Sequence, residues 1–64
     1  MKLYNFLDVF EPDTPIVILD ENGKIIDENI AGEVTQRIMN LRKVLRSHLE
    51  KGKLVVTTCI DRED

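Results

Sequence analysis

Leu3, Phe6, Leu7 and Phe10 are spaced by three, one and three residues, which is the stripe of a short amphipathic helix. Such a helix runs two to three turns, too short to be stable unless it packs on the rest of the chain. The run Glu11-Pro12-Asp13-Thr14-Pro15 ends it, because proline disfavours helix at its own position and at the one before. Ile16–Leu19 is a β-branched run that reads as a first strand. Asp20-Glu21-Asn22-Gly23-Lys24 then signals a hairpin, since Asn and Gly tolerate positive φ. Two registers compete. An Asn-Gly loop pairs Asp20 with Ile25 and Ile18 with Asp27. A three-residue loop with Gly23 left-handed pairs Leu19 with Ile25 and Ile18 with Ile26, and is preferred because it sets apolar residues opposite each other. The second strand covers Ile25–Glu28.

Beyond Ala31 the period changes. Val34, Ile38, Leu41, Leu45 and His48 step by four, three, four and three, with Leu49 beside them, so one long amphipathic helix is expected over 31–51. Gly52 would stop it, and Lys53–Ile60 reads as the third strand. The tail over 61–64 is expected to fray. The order is thus αββαβ, an α+β domain with a three-stranded sheet in the order 2-1-3. The first strand is central because it is apolar on both faces. The third is placed antiparallel to it, after a right-handed crossover through the helix. The long helix covers one face. If the short N-terminal helix does not cover the other, that face stays open and invites dimerisation.

A chain of 64 residues has room for one domain, residues 1–64, with a thin core. The net charge of −3 is too mild to point to nucleic acid by itself, but its distribution is uneven. Residues 1–32 net −5, residues 33–53 net +4 and the remainder −2, so a basic segment lies inside an acidic chain. A single cysteine forbids an intrachain disulfide. With no leader, membrane-spanning or lipidation pattern, it points to the cytoplasm.

Candidate chemistry is sparse, and no catalytic, cofactor or metal site is expected. His48 reads as the edge of the helical stripe rather than as a general base. Cys59 reads as a small strand residue, and no third group exists in the pattern to orient a Cys–His pair. The acidic hairpin fails the EF-hand spacing: Asp20 and Asn22 fit, but Lys24 falls where a third oxygen ligand is needed and the glycine comes at 23, two positions too early. Two surfaces remain open as partner sites. One is the acidic hairpin, Asp20, Glu21, Asp27 and Glu28. The other is the basic segment, with Arg42, Lys43 and Arg46 as candidate phosphate contacts. The second lacks the stripe, aromatic or zinc pattern of known nucleic-acid modules.

Lys2-Leu3-Tyr4-Asn5-Phe6-Leu7, then Asp13-Thr14 and an Ile/Val strand closing on Asp-Glu-Asn-Gly, carry a resemblance over about thirty residues. This stretch is similar to the openings of short proteins carried by phages and mobile elements of Firmicutes-type bacteria. The resemblance implies a context in which small acidic proteins inhibit host machinery, CRISPR nucleases included, and it carries over no site residues. The expectation is therefore a non-enzymatic protein-interaction module that inhibits a host protein, with a homodimer possible. The alternative is a small nucleic-acid-binding or regulatory protein using the segment 33–51.

Overall fold

The computed structural model describes residues 1–61. The N-terminal stripe forms helix α1 (Leu3–Leu7), shorter than the two to three turns expected and ended at Asp8 before Phe10, with Leu3 and Leu7 buried. Phe6 and Phe10 pack against the core as a tilted aromatic pair with centroids 5.1 Å apart. Strand β1 (Pro15–Leu19) and strand β2 (Ile25–Ile30) make the antiparallel hairpin. Its loop is the three-residue one: Asp20 N–H donates to Lys24 O, Gly23 N–H to Asp20 O, and Gly23 has φ 85°. Leu19 faces Ile25 as expected. A bulge then shifts the ladder, so that Ile18 faces Asp27 and not Ile26. The bulge leaves Ile26 packed against the core even so. β2 runs two residues further than its apolar start suggests.

The expected long helix over 31–51 is not there. A 3₁₀ turn (Ala31–Glu33) leads to helix α2 (Gln36–Leu41), capped by the Thr35 hydroxyl, which accepts from Ile38 N–H. The chain then becomes strand β3 (Arg42–Glu50), which turns at Lys51-Gly52 into strand β4 (Lys53–Ile60). Lys51 and Gly52 have φ 52° and 78°, the two positive values of a type I′ hairpin turn. The reason lies in β4. Leu54–Thr58 is buried throughout, so its backbone N–H and C=O groups need a hydrogen-bonded strand along each edge. β1 supplies one and β3 the other. That pairing outweighs a helical period in which Leu45 and Leu49 would gain only a stripe.

This extra strand corrects the topology. The sheet is four-stranded and mixed, in the order β2-β1-β4-β3. β1 is central and adjacent to the last strand, but parallel to it: Ile16 faces Leu54 and Ile18 faces Val56. One added reversal, the β3–β4 hairpin, inverts the direction expected for the final strand. Both helices share one face, where Leu3, Leu7, Val34, Ile16, Ile18, Leu54 and Val56 form the core. Neither helix reaches the other face. Asp61 is not frayed: its N–H donates to Leu41 O and its carboxylate pairs with Lys2. The rest of the expected frayed tail lies outside the described residues. Among the described residues, no helix is long and apolar enough to cross a membrane.

Candidate functional site

Strand alternation sends Val17, Leu19, Val55 and Thr57 to the face away from the helices, where Val17, Val55 and Thr57 are nonetheless buried among their neighbours and Leu19 is partly exposed. Ile25 joins them opposite Leu19, and is more than half exposed at 56 %. Val17, Leu19, Ile25 and Val55 floor a depression of about 360 Å³, and Glu50, Lys51 and Lys53 stand at its rim. Glu28 on β2 lies opposite Val17, and its carboxylate accepts from Lys53 Nζ at 2.7 Å. Since β1 lies between β2 and β4, this ion pair bridges across β1. Both partners are about half exposed, so it contributes at most about 1 kcal/mol. A second hollow of about 310 Å³ lies where α1 ends, between Leu7, Phe10, Pro12 and Met39, and belongs to the helical layer.

The acidic candidates serve mostly local structure. Asp20 Oδ1 accepts from the N–H of Asn22 and of Lys24, each at 2.9 Å, which fixes the hairpin loop. Asp27 Oδ1 accepts from Glu28 N–H at 3.0 Å, while Glu28 is held by Lys53. Asp27 and Glu28 are successive on a strand and diverge to opposite faces. Glu21 lies exposed in the loop. The four therefore do not converge on one surface.

The basic candidates lie on β3, not on a helix. Arg42 faces Ile60, and its Nη1 donates to Thr58 Oγ1 at 3.4 Å. Lys43 faces Cys59 and Arg46 faces Thr57, which puts both on the open side of the sheet. His48 follows on the same side, opposite Val55. The β3 bulge between Val44 and Arg46 brings this about, because without its extra residue Lys43 and Arg46 would point to opposite faces. Helical periodicity gives no sign of this row. The one legible signal is Lys51-Gly52, which can be read as a hairpin turn as well as a helix stop.

His48 and Cys59 are on the same side but not together. His48 is opposite Val55, four residues along β4 from Cys59, a span of roughly 13 Å at strand rise. Among the described residues, no group of three or more His, Cys, Asp or Glu side chains is placed to hold a metal.

Comparison with protein-family models, with curated proteins and with solved structures found no match.

Proposed function

We propose that the chain is a non-enzymatic protein-interaction module whose working surface is the helix-free face of the sheet. The observation that carries this reading is the hollow floored by Val17, Leu19, Ile25 and Val55 and rimmed by Glu50, Lys51 and Lys53, with Lys43 and Arg46 further along the same face. An apolar centre with a polar rim is the anatomy of a recognition surface. It fits a protein partner that presents an apolar protrusion among charged groups of both signs. The resemblance of the first thirty residues to phage and mobile-element proteins supplies the context. In this reading the partner is a host protein inhibited in the bacterial cytoplasm, a CRISPR nuclease being one such target.

The test is affinity capture from bacterial lysate, with and without nuclease, read by mass spectrometry. One protein retained after nuclease, and lost with Ile25→Asp, is the expected result. Ile25 is exposed enough for that substitution to leave the fold intact. Glu21→Lys should have no effect. Retention unchanged by Ile25→Asp would overturn the choice of face.

The second reading, nucleic-acid binding, rests on Lys43 and Arg46 sharing that face with His48. It requires retention to vanish with nuclease and affinity to fall steeply with salt, by about 0.9 log units per log unit for each phosphate contacted.

A further inference from the structure

The two edges of the sheet are not equally closed. On β2, the hydrogen bond from Ala31 N–H to Thr14 O sets the alternation, so the amides of Glu28 and Ile30 point away from β1. Each is taken by the side chain before it, Glu28 N–H by Asp27 Oδ1 and Ile30 N–H by Asn29 Oδ1. With its bulge, that edge is blunted against strand addition. On β3, the first residues are covered by the N-terminus: Val44 N–H donates to Met1 O at 2.8 Å, and Lys2 bridges to Lys43. Beyond the bulge, Arg46–Glu50 continues as regular strand. Among the described residues, no backbone hydrogen bond reaches its outer side. Leu49 lies there 77 % exposed.

The two-residue turn makes Glu50 and Lys53 a hydrogen-bonded pair, so the N–H and C=O of Ser47 and Leu49 face outward. An antiparallel partner must set residues of the same face opposite each other. We propose that a second copy of this chain pairs with Arg46–Glu50 about a two-fold axis through His48. Ser47 and Leu49 then exchange backbone hydrogen bonds with Leu49 and Ser47 of the second copy. Arg46 faces Glu50 of the second copy at both ends, in the closer, non-hydrogen-bonded positions where opposite charges interact best. The other axes fail. An axis at Arg46 sets that residue against itself. An axis at Ser47 sends Glu50 onto Val44, whose outward amide Met1 already holds. An axis at Leu49 drives Ser47 onto Lys51 in the turn. Charge and edge protection thus select one register. Because the axis is normal to the sheet, the eight-stranded product carries both open faces on one side.

The experiment is sedimentation equilibrium on the full chain, with circular dichroism as the check on folding. The wild type should be dimeric. Glu50→Arg places arginine opposite arginine twice and should weaken association about tenfold or more. Arg46→Glu combined with Glu50→Arg restores opposite charges in this register alone and should restore the dimer. Ser47→Pro removes an outward amide that β4 does not use, and should yield a folded monomer. A wild type still monomeric at about 1 mM would overturn the proposal. So would a Glu50→Arg variant that dimerises normally, or a folded double variant that stays monomeric.

Discussion

Thr58 shows most directly how single polar atoms are placed in this thin core. It is fully buried, and its hydroxyl donates to Leu19 O at 2.8 Å while accepting from Arg42 Nη1. The hydroxyl thereby ties β4 to the end of β1 and to the start of β3. Thr58→Val keeps the shape but removes both bonds. It should cost about 1–2 kcal/mol in urea unfolding, more than an exposed substitution would. The apolar residues Leu3, Leu7, Ile16, Ile18, Leu54 and Val56 were legible as core because each sits at the spacing its own element demands. Thr58 was not, since nothing in the local pattern separates it from Thr57. The acidic residues were legible as turn chemistry at Asp20. They were not legible as edge protection at Asp27, which depends on β2 being an outer strand.

At the scale of the element, the segment 42–50 is the most informative. Its apolar residues satisfy a helix period, yet it forms a nine-residue strand. The Lys51-Gly52 turn holds that hairpin, with Lys51 in the left-handed region where a lysine is strained. Lys51→Asn would create the Asn-Gly pair preferred in type I′ turns. It should raise stability by about 0.5–1 kcal/mol, read as a higher thermal midpoint with an unchanged far-ultraviolet dichroism spectrum. A destabilised variant would count against the hairpin. The bulges in β2 and β3 re-aim neighbouring side chains and could not be read from the sequence. A bulge is a relation between two strands, and the inserted residue, Ile26 or Leu45, has no special composition.

For the whole molecule, both ends of the described chain meet beside β3. Met1 and Lys2 lie against its first residues, and Asp61 pairs with Lys2. The hydrogen bond from Lys2 holds the Asp61 carboxyl below its ordinary range, against desolvation that pushes it up. The charges of Lys2, Lys43 and the N-terminal amine add to the lowering. A carboxyl depressed in the folded state contributes stability that is present above its unfolded value of about 4. That stability is lost as pH falls through the lower folded value. Asp61→Asn should therefore be less stable than the wild type near neutral pH. The difference should close in acid, which a series of urea unfolding curves across pH would show. Equal stability at every pH would mean that the pair contributes nothing. The same clustering of the chain ends leaves the far half of the β3 edge as the open part of the sheet.

Local physics determined α1, the β1–β2 hairpin with its left-handed Gly23, the central place of β1 and the strand 53–60. In each the signal lies within a few residues: a helical stripe, a turn residue that tolerates positive φ, or a run apolar on both faces. The tertiary structure decided that 42–50 is a strand, that β4 runs parallel to β1, and that both helices share one face. These follow from hydrogen-bonding demands that β4 makes on residues far from it. A strand whose backbone is buried must be paired along both edges, and no periodicity within 31–51 records that requirement. The open face and the row of Lys43, Arg46 and His48 beside it exist only because that demand prevailed.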